Sequence, residues 1–150
     1  MENPLICDSA LDTNTILAQW QEIAKARNFG AVAVFIGVVR AENGISALSF
    51  DIYVPLLKSW VDSWQIRAET IEKDLQILMA HSRGNVSVGE SSFACAILSR
   101  NRKAALALYD EFIEDFKANA PIWKYDIKGG ARIYAKDRSK KLRGAGILEL

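Results

Sequence analysis

The sequence predicts an α+β fold with mixed or antiparallel sheets and about three helices. Two observations carry that expectation. Apolar residues recur at helical spacing in three separate stretches, and the β-branched runs between them come in pairs. Paired strands between helices do not fit the strict alternation of a doubly wound parallel sheet. The 150 residues contain no repeat, low-complexity run or Pro/Gly-rich linker, so one domain is the simplest organisation.

The first helix is expected from about Thr13 to Arg27, capped by Asp12 or Thr13, with Ile16, Trp20, Ile23 and Ala24 on one face. Asn28 and Gly30 stop it. The run Ala31 to Val39 is rich in β-branched residues and reads as a buried strand, in which Gly37 marks a bulge or a close backbone approach. An Asn-Gly turn follows, then a strand from about Ala47 to Tyr53. Pro55 suits a helix start, and Leu57, Trp60, Val61, Trp64, Ala68 and Ile71 mark a helical face to about Asp74. A strand from Gln76 to Ser82, a connection framed by Gly84 and Gly89, and a strand from Ser91 to Leu98 come next. The third helix spans about Arg102 to Ala118, with Ala105, Leu108, Tyr109, Phe112, Ile113 and Phe116 as its buried stripe. Pro121 bars its continuation. Short extended pieces at Ile122 to Ile127 and Arg132 to Ala135 complete the order α-β-β-α-β-β-α-β-β.

Composition excludes several classes of function. The net charge of +1 gives no global field for nucleic acid. Two distant cysteines, Cys7 and Cys95, are too few for a disulfide scaffold, and Cys95 lies in an apolar run where a buried inert thiol is expected. One histidine, His81, leaves no zinc set, and no metal or cofactor is expected. The N-terminus lacks the basic and apolar regions of a signal peptide, and no apolar run approaches the roughly 20 residues that cross a bilayer. The expected location is the cytoplasm, with no membrane partner. From Arg132 to Arg143, six basic residues accompany one acidic residue, Asp137. Such a block is either a solvated end or an arm closing over a site.

Three stretches carry a resemblance. Gly30 to Arg40 reads GAVAVFIGVVR, His81 to Glu90 reads HSRGNVSVGE, and Lys117 to Lys124 reads KANAPIWK. In order and separation they resemble the strand, hairpin and lysine motifs of the large subunit of molybdopterin synthase, the MoaE family. The resemblance covers about Gly30 to Asp126 and implies a hammerhead-like α/β arrangement. It implies sulfur transfer to cyclic pyranopterin monophosphate, yielding the dithiolene of molybdopterin. The sulfur comes from a small ubiquitin-like partner whose Gly-Gly end carries a thiocarboxylate. A homodimer of large subunits within a heterotetramer is implied as well. No catalytic cysteine is then needed, because the partner brings the sulfur.

The resemblance implies Lys117 and Lys124 as catalytic, with Arg40, Asn101 and Arg102 joining them in substrate binding. The chemistry suits these residue types. A cyclic phosphate needs cations, and the arginine fork matches phosphate oxygens. Arg102 opens a helix, where free N–H groups also favour anions. Lys117 and Lys124 flank the proline break, and a sharp turn there can bring both to one pocket for proton transfer and oxyanion stabilisation. Two departures stand out. Asn101 occupies a position where many members have histidine; it cannot shuttle a proton and can equally cap the third helix. Ser82 follows His81 where the family often has arginine, so no role passes to Arg83. His81 reads as a structural, hydrogen-bonding residue. A different class, a non-catalytic anion- or nucleic-acid-binding module, uses the same basic residues and predicts salt-sensitive binding.

Overall fold

The computed structural model describes residues 2–136; Asp137, Arg138, Lys140, Lys141 and Arg143 of the basic block lie outside the described residues. Eleven elements are present among those described: β1 (Leu5–Cys7), α1 (Thr13–Ala26), β2 (Ala31–Val38), β3 (Ala47–Ile52), α2 (Val54–Ile71), β4 (Gln76–Ser82), β5 (Gly84–Ser87), β6 (Ser91–Ser99), α3 (Arg102–Asn119), β7 (Ile122–Lys128) and β8 (Ala131–Tyr134). They build two four-stranded sheets, ordered β1-β4-β6-β2 and β5-β3-β7-β8. Only β1 and β4 pair in parallel. The α+β class with three helices is the one the sequence predicts.

Strand alternation sorts the core of the first sheet. Ile77, Met79, Phe93, Cys95 and Ile97 face α2 and α3, whereas Leu78, Ala80, Ala94, Ala96 and Leu98 face α1. Both faces are covered, so β6 reads from Phe93 to Leu98 as an unbroken apolar run rather than an alternating one. Asp115 ties α2 to α3. Its carboxylate accepts from Trp60 Nε1 at 3.0 Å and from Trp64 Nε1 at 2.7 Å. Hydrogen bonds to a charged acceptor contribute about 1.5–3 kcal/mol each. Trp60 is half-buried by this contact rather than fully inside. In the second sheet, Leu48, Phe50 and Val86 pack with Val39 and Ile45.

Two strands escaped the sequence. β1 is three residues long, too short for a periodic signal, and takes its register from β4, with Leu5 opposite Ala80. Asn3 pins the approach to it, donating to the Ile77 carbonyl at 2.8 Å and accepting from Met79 N–H at 3.0 Å. β5 lies inside the stretch read as a connection. Gly84 and Gly89 adopt φ of +83° and +90°, and the four residues from Gly84 pair with β3. The true order is therefore β-α-β-β-α-β-β-β-α-β-β. α2 also ends earlier than expected, at Ile71, because Glu72 is extended and Asp74 takes φ +69°. The basic block begins inside the fold: Arg132 belongs to β8, where it stacks on the Tyr125 ring and pairs with Asp51 at 2.8 Å.

Local chemistry fixes the elements that matter for the site. Asp12 caps α1 through Thr15 N–H, and Asn101 caps α3 through Lys103 N–H at 3.1 Å. At Gly30 a Cβ would lie 2.3 Å from the Arg100 carbonyl oxygen, so glycine is needed where the chain enters β2. β2 shifts register between Gly37 and Val38. α3 ends at Ala120, whose extended backbone (φ −62°, ψ 137°) is what a following proline imposes. Ile122 N–H then bonds the Ala120 carbonyl at 2.8 Å, and the chain reverses sharply into β7.

A lysine-lined cavity at the seam of two sheets

A cavity of about 120 Å³ opens where the two sheets meet. β2 and the residue after it bring Gly37, Val38 and Val39; β3 brings Leu48 and Phe50; β6 brings Ser92 and Phe93. His81 comes from the end of β4, Phe116 and Lys117 from the last turns of α3, and Lys124 from β7. The reversal at Pro121 therefore carries the two lysines to one cavity. Lys117 is exposed at its mouth and Lys124 is half-buried. Lys124 stands opposite Phe50 in the β3–β7 register, on the inward face of the second sheet.

The wall beneath the lysines is aromatic. Phe93 and Phe116 stack with centroids 4.0 Å apart and planes within 6°. The His81 ring lies edge-on to Phe50 at 4.9 Å and is flanked by Phe93 and Phe116 at 5.9 and 5.8 Å. Burial holds the His81 pKa down at about 4; the bond to the Ser82 backbone opposes this, while Lys117 and Lys124 add to it. The imidazole is thus neutral at pH 7. A low-polarity wall below two ammonium groups strengthens their pull on any anion that enters.

The other expected site residues lie elsewhere. Arg40 follows the cavity-lining Val39, but its side chain is 83% exposed and pairs with Glu42 at 3.2 Å. An exposed pair is worth at most about 1 kcal/mol, so Arg40 can exchange Glu42 for a stronger anion. Asn101 and Arg102 sit at the opposite end of α3 from Lys117. Fifteen residues of helix separate Arg102 from Lys117 by about 22 Å. One chain does not bring these two groups together, and the Asn101 side chain is occupied in capping. His81 and the Phe50–Phe93–Phe116 wall were not singled out as site residues from the sequence. The one available signal was that His81 opens the second motif.

Neither thiol is poised for chemistry. Burial pushes Cys95 up to about 12, and Cys7 is raised by desolvation and by Asp8. Sulfur chemistry in this cavity would need sulfur from outside the chain. A more open groove of about 550 Å³ lies between α2 and α3, lined by Trp60, Trp64, Arg67, Glu111, Glu114 and Asp115. Three of its charged groups are engaged in Trp60–Asp115, Trp64–Asp115 and Arg67–Glu111 contacts.

Fold and cavity together define a two-sheet α+β protein with a lysine-lined pocket suited to an anionic substrate. The MoaE protein family model matches residues 6–119, and the chain belongs to that family. A molybdopterin synthase catalytic subunit from Helicobacter pylori is 54% identical over 145 residues, covering 95% of this chain and 97% of the relative. A solved complex of subunits 1 and 2 of molybdopterin-converting factor from Helicobacter pylori superposes with TM-score 0.88 at 53% identity, covering 96% and 97% of the two chains. Molybdopterin synthase from Staphylococcus aureus shares the fold, with TM-score 0.76 at 23% identity over 89% and 97%.

Proposed function

We propose that this chain is the catalytic subunit of a molybdopterin synthase, converting cyclic pyranopterin monophosphate to molybdopterin. The observation that carries the reading is the shared cavity of Lys117 and Lys124 in a chain without an activated thiol. The sulfur enters on the thiocarboxylated Gly-Gly end of a small ubiquitin-like partner, and glycine is what lets a backbone tail thread a narrow opening. One lysine ammonium stabilises the oxyanion that forms at the tail's acyl carbon, and the other holds the substrate phosphate and moves a proton. Arg40 closes on the phosphate from the rim. The enzyme works in the cytoplasm; no helix among the described residues is long and apolar enough to cross a membrane. The nucleic-acid-binding alternative is disfavoured by the net charge of +1 and by Arg132, which is engaged with Asp51.

The pairing of two chains completes the site in this reading. β2 is an edge strand of eight residues with no charge and no proline, the kind of edge that pairs with another chain. Two such edges paired antiparallel about a two-fold axis set the Ala31 end of one against the Val38 end of the other. Ala31 is the register partner of Ser99, close to Asn101 and Arg102, while Val38 lines the cavity. A partner copy would thus supply the Arg102 that its own Lys117 cannot meet.

Reconstitution tests the function. The protein, a thiocarboxylated small partner and the pterin precursor should yield dithiolene product. Lys117→Ala and Lys124→Ala should each reduce the rate by about 10²–10³-fold, the usual loss when one oxyanion-stabilising group is removed. Absence of product at every ratio of the components would sink the reading.

A further inference from the structure

We propose that His81 is a binding residue of this cavity: its Nε2, unpaired among the described residues, accepts the last peptide N–H of the glycine tail that the small partner inserts. The proposal deepens the sulfurtransferase reading and rests on it.

The ring itself carries the case. His81 is 3% exposed, and yet it lines the cavity. Its Nδ1 lies 2.8 Å from the Ser82 backbone oxygen. A carbonyl can only accept, so Nδ1 donates, and in the neutral ring that burial favours Nε2 is then a bare acceptor. No group among the described residues hydrogen-bonds Nε2. Buried polar groups rarely go without a partner, and one on a cavity wall points to what the cavity takes. Contacts with the rings of Phe50, Phe93 and Phe116 hold the imidazole in place, so the acceptor has a fixed direction.

Size and polarity choose the ligand. The volume of about 120 Å³ is below the roughly 300–1,000 Å³ of sites that enclose a small organic molecule. The pterin ring system therefore stays at the mouth, where Lys117 is exposed, and a slender chain end enters. Two glycines bring no side chain against the aromatic wall. The anionic end of the tail suits the lysines that line the cavity. Its peptide N–H needs something else, because an ammonium cannot accept and an apolar wall leaves the donor unpaired. Ser92 brings a hydroxyl that can donate or accept, whereas Nε2 of His81 only accepts. A neutral acceptor in a cationic cavity reads the peptide link beside the reacting acyl carbon and sets how deep the tail goes.

The unthiolated partner suffices for a binding test. An ester link in place of its final Gly-Gly amide removes the one N–H and keeps the shape of the tail. Wild type should bind the ester form about three- to tenfold more weakly, the effect of one lost hydrogen bond. His81→Phe keeps a ring against the wall and should bind both forms equally, while Ser92→Ala should keep the wild-type difference. Equal affinity of wild type for the two forms overturns the proposal, and so does a difference that persists in His81→Phe or disappears in Ser92→Ala. A second measurement needs no variant to fold. The chain has a single histidine, so the nitrogen NMR spectrum of histidine-labelled wild type reports His81 alone. The Nε2 resonance should be bare in the free protein and should move further with the amide partner than with the ester. A proton on Nε2 in the free protein, or the same response to both forms, overturns the proposal. A partner that does not bind wild type sinks the sulfurtransferase reading along with it. A partner that binds and yields product, with amide and ester tails indistinguishable, sinks the role of His81 alone.

Discussion

His81 shows how a single buried group writes pH dependence into the whole fold. Its pKa is near 6.5 when unfolded and about 4 in the fold. The folded value is the depressed one, so the unfolded chain takes the proton first as pH falls. The contribution to stability is full above pH 6.5, declines toward pH 4 and then levels off. A gap of about 2.5 units corresponds to about 3 kcal/mol. Urea unfolding should show wild type losing about that much more than His81→Gln between pH 7 and pH 4; parallel pH profiles for the two proteins would contradict it. Asn101 poses a different question at the same scale. If its work is the cap on Lys103 N–H, Asn101→Ala should cost about 1 kcal/mol and Asn101→Ser much less. A stable Asn101→Ala protein with reduced substrate affinity would assign the residue to binding.

Elements of this fold are held by close approaches that only particular residues allow. Gly30 and Gly37 make the contrast. A Cβ at Gly30 meets backbone at 2.3 Å, whereas at Gly37 it meets the Phe93 Cβ at an ordinary 3.4 Å. Gly30→Ala should therefore destabilise by about 1–3 kcal/mol through overpacking, and Gly37→Ala by clearly less. Thermal melts of the two variants check this, and equal losses would mean that the β2 entry yields more easily than the geometry implies. The turn at Pro121 is legible in sequence because proline acts locally on Ala120. β5 was not legible, because its pairing partner, β3, lies more than thirty residues earlier and two glycines disguise its ends.

At the scale of the molecule, the seam between two sheets makes the cavity, and no single element contains it. Six elements each contribute one or two lining residues. The separation of Arg102 from Lys117 along α3 makes a testable demand on assembly. In the two-fold pairing proposed above, Lys124→Ala and Arg102→Ala chains, each impaired alone, should regain activity when unfolded and refolded together, because a hybrid dimer would carry one intact site. No recovery, with hybrid dimers detected by mass, would remove Arg102 from the partner's cavity.

The sequence by itself determined the three helices, the paired strands, the proline break and the two lysines that flank it. Each of these is set by local sterics or by a period that neighbouring residues share. Tertiary structure alone decided that Lys117 and Lys124 meet beside a buried His81, and that Arg102 does not join them within one chain. Those outcomes depend on the Lys124–Phe50 register and on which sheet face is covered. Such long-range choices reflect packing between distant segments, which spacing along the chain does not encode.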